Sequence, residues 1–173
     1  MITLRCTRKL LKRLGGVTTE DPSPSTTIFG DWYANVLSLS FRGKSVVMFV
    51  NEPTLLAVFI PGRGAKKMLP VFRARAMALM RTLDLPEDCI KKEAEEMADL
   101  QLAPTASRSV LGAMNDMAQG LCMLAERKAS ADEIDWDEME IYYSEWIHGI
   151  PLAYGYPRDA AAERCRAYLK SRS

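Results

Sequence analysis

Apolar residues recur mostly at every second position over the first sixty residues, and at every third or fourth position further on. Ile2, Leu4 and Cys6 alternate with Thr3 and Arg5, which predicts a half-buried strand. Thr7 stands where a cap is needed for a short helix carrying Leu10, Leu11 and Leu14, and Gly15 stands where it stops. Residues 17–30 form the clearest loop, with two prolines among Ser, Thr and Asp. From Tyr33 to Phe41 the odd positions Leu37, Leu39 and Phe41 are apolar and Ser38 and Ser40 are polar. Arg42-Gly43 reads as a two-residue turn. Lys44 to Val50 is nearly all apolar, as in a central strand buried on both faces. Asn51-Glu52-Pro53 reads as another turn, and Thr54 to Ile60 as a third run, ended by Pro61-Gly62. Short turns between such runs predict an antiparallel meander.

Helical spacing takes over after Pro61. Ala65 to Leu83 is rich in Ala, Met, Leu, Lys and Arg, with Pro70 as a start or interruption. Pro86 to Leu100 opens on Pro-Glu-Asp and carries Ile90, Ala94 and Met97 on one face. Ser107 to Lys128 has the strongest stripe, Val110, Met114, Met117, Leu121 and Leu124. Ala131 to Trp146 predicts a further helix, Ile150 to Pro157 a connection, and Asp159 to Leu169 a last helix with Ala162, Cys165 and Leu169 inward. The pattern predicts an α+β fold in a single domain over residues 1–173. Residues 1–62 are mainly β, a small antiparallel β-meander of about four strands with one short helix. Residues 63–173 are mainly α and pack on one face of it.

Composition narrows the chemistry. Of 173 residues 48% are hydrophobic, which excludes whole-chain disorder. The longest apolar runs are strand-length and Met1 to Gly16 lacks an apolar signal core, so neither a membrane span nor a secretory signal is expected. Cys6, Cys89, Cys122 and Cys165 form no C-x-x-C pair. Buried thiols in a reducing cytoplasm are expected, with no metal site and no cofactor.

Charge changes the picture more. Residues 1–75 carry 12 Lys and Arg against 4 Asp and Glu, whereas residues 76–173 carry 11 against 18. Such polarity implies either two surfaces with different partners or two halves that attract each other. Arg8, Lys9, Lys12 and Arg13 on the first helix, with Arg63, Lys66 and Lys67 after the meander, make a candidate nucleic-acid or anion-binding face. Pro61 to Lys67 follows a strand and precedes a helix, but lacks P-loop spacing. Trp32 and Tyr33 could stack on bases or belong to the core.

The acidic half offers another surface. Asp132 to Glu145 interleaves acids with Trp136, Tyr142, Tyr143 and Trp146, residue types typical of interface hot spots. Ile134 and Met139 read as core. The acids lack the spacing of a calcium loop and read as a solvated segment. His148 is the single histidine, and no nucleophile stands at a triad-like spacing from it.

Several segments resemble a family of small, uncharacterised bacterial proteins, a domain of unknown function. They are Ile2 to Leu11 (ITLRCTRKLL), Trp32 to Leu39 (WYANVLSL) with the strand ending Phe49-Val50-Asn51, and Ser107 to Asp116 (SRSVLGAMND). The last is similar to that family's RSVLG-x-MND helix, with Ser107 where the family often has Asp. Ile150-Pro151-Leu152 with Pro157 is similar to its ending. The resemblance implies an intracellular bacterial α+β protein and supplies no activity or catalytic residues. The helix motif presents Arg108, Ser109, Gly112, Asn115 and Asp116 as candidates of unassigned role. Gly112 within a helix implies a close backbone approach. Asn115 and Asp116 either hydrogen-bond the meander or a loop, or form a site facing a cleft.

The leading expectation is a non-enzymatic interaction or regulatory protein of a bacterium or mobile genetic element, acting on a protein partner in the cytoplasm. Nucleic-acid binding by the basic half is the alternative, and a homo-oligomer is compatible with either. An enzyme ranks third, because no acid, base and nucleophile converge in the sequence.

Overall fold

The computed structural model describes residues 1–15, 18–39, 45–62, 68–128, 131–146, 148–150 and 153–172. Its strands are β1 (Ile2–Cys6), β2 (Trp32–Ser38), β3 (Ser45–Asn51), β4 (Ala57–Pro61) and β5 (Leu100–Pro104), with a small hairpin of β6 (His148–Ile150) and β7 (Ala153–Gly155). The helices among the described residues are α1 (Arg8–Leu14), α2 (Met68–Thr82), α3 (Glu87–Glu96), α4 (Arg108–Ala125), α5 (Trp136–Ser144) and α6 (Pro157–Lys170). The class is α+β, and the main sheet has five strands in the order β4-β3-β2-β1-β5.

The sheet is mixed, which corrects the purely antiparallel expectation. β2, β3 and β4 form the antiparallel meander, but β1 runs parallel to both β2 and β5. The Arg42-Gly43 turn lies outside the described residues. No strand is predicted at 100–104, because Leu-Gln-Leu-Ala-Pro is too short to show a period. Pairing decides it: Ile2 to Cys6 lie in register with Leu100 to Pro104. β4 starts three residues later than its apolar run. The buried Asn51 side chain accepts from the Thr54 N–H (3.2 Å) and hydroxyl (2.6 Å), and Leu55 turns at φ 59°, so Thr54–Leu56 belong to the turn.

Helices cover both faces of the sheet, not one. Even positions of β2 (Trp32, Ala34 and Val36) join Phe49 and Val58 in a core closed by α1, α2, α3 and α6. Phe72 of α2 stacks on Phe49 (centroids 4.2 Å apart) and meets Trp32 edge-on. Odd positions Tyr33 and Leu39 join Met48, Val50 and Phe59 in a second core closed by α4 and α5. Both faces of β2 are therefore apolar, and its strict alternation misses the even face. Each buried Val, Leu, Met or Phe among them contributes roughly 1.5–3 kcal/mol. Trp32 and Tyr33 are core residues, fully buried.

Over β1 and β5 the second face is polar, and the loop of residues 18–31 covers it. The Thr19 N–H donates to Leu102 O (2.9 Å), which shields the outer side of β5. Gln101 Nε2 donates to Ser23 O (2.6 Å), the Thr3 N–H to Ser25 Oγ (2.9 Å), and Arg5 Nε to Asp31 Oδ2 (2.6 Å). The loop is thus an integral part of the sheet layer.

Candidate partner-binding surface

α4 begins where its sequence says it should. Ser107 caps it by accepting from the Val110 N–H (3.3 Å), and Val110, Met114, Met117 and Leu121 face the sheet. α5 begins at Asp135, whose Oδ1 accepts from the Asp137 and Glu138 N–H groups, each at 3.0 Å. Ile134, Met139 and Tyr143 point inward. A groove of about 570 Å³ opens between the end of α4 and the outer side of α5. Leu124, Ile134, Met139 and Tyr142 give it an apolar floor. Arg127 and Lys128 rim it on the α4 side, and Glu138 and Glu145 on the α5 side.

The four candidate aromatics do not form one patch. Tyr142 is 48% exposed and lies on the groove. Trp146 stands beside it, ring centroids 5.6 Å apart. Tyr143 is buried and acts as a pillar, its hydroxyl donating to Met117 O at 2.8 Å and its ring against Phe59 at 5.3 Å. Burial raises the Tyr143 hydroxyl pKa, which keeps it a neutral donor. Trp136 faces a separate hollow with Leu39 and Pro61, and tilts against Phe59.

The acidic segment is only partly solvated, against expectation. Glu140 is buried, and its Oε1 accepts from the Phe59 N–H and from Arg75 Nε, each at 2.9 Å. Arg75 also reaches Asp137 (2.6 Å), so the basic and acidic halves of the sequence meet here. Burial pushes Glu140 up to about 7, against the pull of the Arg75 charge and the Phe59 N–H. Glu140 and Arg75 carry no sequence signal beyond an acid inside an apolar helix.

The helix motif turns outward. Arg108, Ser109, Gly112, Asn115 and Asp116 are all exposed, and i to i+3 and i to i+4 spacing puts them on one face of α4. Asn115 and Asp116 therefore do not bond the meander. A Cβ on Gly112 would meet nothing within 4 Å, so the expected close approach is absent there. It occurs at Gly120 instead, where a Cβ would stand 3.0 Å from the Tyr143 hydroxyl and 3.2 Å from Trp146. Met123, 61% exposed on the next turn, directly precedes Leu124, which lines the groove. Its position off the Val110–Leu124 stripe was the available signal.

Arg8, Lys9, Lys12 and Arg13 are exposed on α1, while Arg63, Lys66 and Lys67 lie outside the described residues. Lys9 Nζ contacts Ser38 Oγ at 3.5 Å. Among the described residues no group of three His, Cys, Asp or Glu side chains could hold a metal ion, and no helix is long and apolar enough to cross a membrane. Cys6, Cys89, Cys122 and Cys165 are free thiols, the first pushed up to about 12 by burial.

Residues 3–160 match a family model described as "Domain of unknown function (DUF6933)". The chain belongs to that family. The matched span runs from β1 into the first turn of α6 and includes the whole groove. No curated protein and no solved structure matches the chain.

Proposed function

We propose that this DUF6933 member is a non-enzymatic regulatory protein of a bacterium or its mobile elements, and that it binds a protein partner in the cytoplasm through the α4–α5 groove. The observation that carries the reading is Tyr142, a large aromatic left half-exposed on an apolar floor with charges of both signs at the rim. That arrangement matches an interface with an aromatic anchor and a polar rim. Both outer sides of the sheet support a side-chain interface over strand addition. The Phe59 N–H of β4 is taken by Glu140 and Pro61 has no N–H, while Thr19 bonds the outer side of β5. A second reading, nucleic-acid binding, is supported by the exposed cations of α1.

The test is affinity capture from nuclease-treated host lysate with the native chain and with a Met123→Ser/Tyr142→Ala variant. A stoichiometric protein held by the native chain and lost by the variant is the expected result. Equal retention by both, or recovery of nucleic acid alone before nuclease treatment, overturns it.

A further inference from the structure

Two thiols meet where the last helix packs on α3. Cys89 lies in the first turn of α3 and Cys165 near the middle of α6. They are 76 positions apart, yet the Cys89 thiol donates to Cys165 O at 3.7 Å. The Cys165 thiol is in turn hydrogen-bonded to the Cys89 thiol. Both side chains are fully buried in the first core. The other two cysteines stand apart from this pair. Cys6 donates to Leu4 O of its own strand at 3.8 Å, and Cys122 of α4 packs against the second core. Two thiols already in contact form a disulfide through local adjustment of their side chains and a small approach of their helices.

The residues around the pair fasten three segments at one point. Glu93, one turn after Cys89 on α3, accepts from the Ile28 and Phe29 N–H groups. Arg164, next to Cys165 on α6, donates from Nε to Ile28 O at 2.8 Å. A bond between the two sulfurs would thus hold α6 and α3 together beneath the loop of residues 18–31. While the helices stay packed the pair is inert. Burial first, then the hydrogen bond with Cys89, raises the Cys165 thiol above its usual range, and the charge of Glu93 adds to the rise. Reaction needs the thiolate, so it needs α6 to open. The inward side of α6 suits that, because its buried residues are small: Pro157, Ala161 and Cys165. Its larger apolar residues, Tyr168 and Leu169, are only partly buried. A terminal helix held by so little apolar surface opens more readily than the core around it.

We propose that Cys89 and Cys165 form a redox-modification site, closing a reversible disulfide between α3 and α6 when the chain meets a low-molecular-weight disulfide such as oxidised glutathione. When α6 opens, the Cys165 thiol loses its proton to solvent and its sulfur attacks one glutathione sulfur. The glutathione S–S bond breaks, a mixed disulfide forms and one glutathione thiol leaves with a proton from solvent. When α6 returns, the Cys89 sulfur attacks the Cys165 sulfur and the second glutathione leaves as a thiol, taking up the Cys89 proton. The two cysteine sulfurs lose two electrons in all, and the glutathione disulfide gains them. The loop so closed contains all of α4 and α5, and closing it restricts the unfolded chain. The site is separate from the α4–α5 groove and stands whether or not the groove binds a protein.

The test incubates the full chain with oxidised glutathione at neutral pH, blocks remaining thiols and maps the digest by mass spectrometry. Free thiols should fall from four to two, with a Cys89–Cys165 cross-linked peptide, a mass lower by two hydrogen atoms and no retained glutathione. The melting temperature should rise by about 5 °C or more, and dithiothreitol should reverse the rise. The cross-link should persist in a Cys6→Ser/Cys122→Ser variant. Cys89→Ser, with folding checked by circular dichroism, should show neither cross-link nor rise. The native chain alone decides the matter if a variant fails to fold. Four free thiols after prolonged exposure, glutathione retained on Cys89 or Cys165, a cross-link that uses Cys6 or Cys122, or a Cys89–Cys165 bond that lowers the melting temperature overturns the site.

Discussion

The buried carboxylate of Glu140 accepts the outward N–H of Phe59 at 2.9 Å, so a helix side chain completes the hydrogen bonding of the outer sheet strand. The same oxygen accepts from Arg75 Nε. One residue thus joins α5, β4 and α2. Glu140→Ala should leave the Phe59 N–H and Arg75 without their acceptor, and cost about 3 kcal/mol or more in urea denaturation. A loss below 1 kcal/mol would mean that water or Asp137 replaces the carboxylate.

Glu93 makes the parallel arrangement on the other face. Its Oε2 accepts from the Ile28 (2.8 Å) and Phe29 (3.4 Å) N–H groups, while Oε1 is buried with no hydrogen-bond partner. Burial raises both carboxyls to about 7, opposed at Glu93 by the Phe29 and Ile28 N–H groups and Arg164, with Glu96 adding to the rise. Between about pH 4.5 and 7 the folded chain therefore holds protons that the unfolded chain releases. The stability these two groups contribute is fully present below that window and is lost as pH rises through it. The melting temperature should be higher at pH 5 than at pH 7.5, and Glu93→Gln, which keeps an acceptor oxygen, should flatten the difference. An unchanged slope in Glu93→Gln would remove Glu93 from the account.

The same substitution should have opposite signs at two positions of α4. Gly112→Ala places a methyl in open space and should gain roughly 0.5–1 kcal/mol from helix propensity and reduced unfolded-state entropy. Gly120→Ala drives a methyl against a Tyr143 hydroxyl that is already bonded to Met117 O, and should lose about 1 kcal/mol or more. Tyr143→Phe should restore part of that loss in a double-mutant cycle. Equal shifts at both glycines would contradict the packing.

Asn51 is the hub of the β3–β4 turn. Fully buried, it donates to Phe29 O (2.9 Å) and Asp31 O (3.3 Å) and accepts twice from Thr54. Asn51→Ala should cost about 2–4 kcal/mol, and Asn51→Asp nearly as much, because it loses both donors. Chemical denaturation of the two variants distinguishes this from a volume effect, which would spare the aspartate.

Adjacent tyrosines should separate binding from folding. Tyr142→Ala should change stability by less than about 0.5 kcal/mol and abolish partner capture. Tyr143→Ala should cost about 3–5 kcal/mol. Thermal unfolding read beside capture makes the comparison.

Local patterning determined which segments of this protein are strands and which are helices wherever a period lasts long enough to be read. β1, the all-apolar β3 and the Val110–Leu121 stripe of α4 lie where their spacing puts them. So do the stop at Gly15, which turns at φ 61°, and the start at Ser107, which caps α4. Arg8, Lys9, Lys12 and Arg13 were legible as exposed cations, because a seven-residue helix with Leu10 and Leu14 inward leaves them no other side. Tertiary structure alone decided the rest. Leu100–Pro104 is a strand only because β1 offers it partners, a non-local hydrogen bond with no local trace. Tyr142 and Tyr143 are neighbours of one residue type. Which of them meets solvent depends on the angle at which α5 crosses Phe59 and Met117. Likewise, Cys89 and Cys165 are 76 positions apart in the chain. Only the packing of α6 on α3 brings their thiols together.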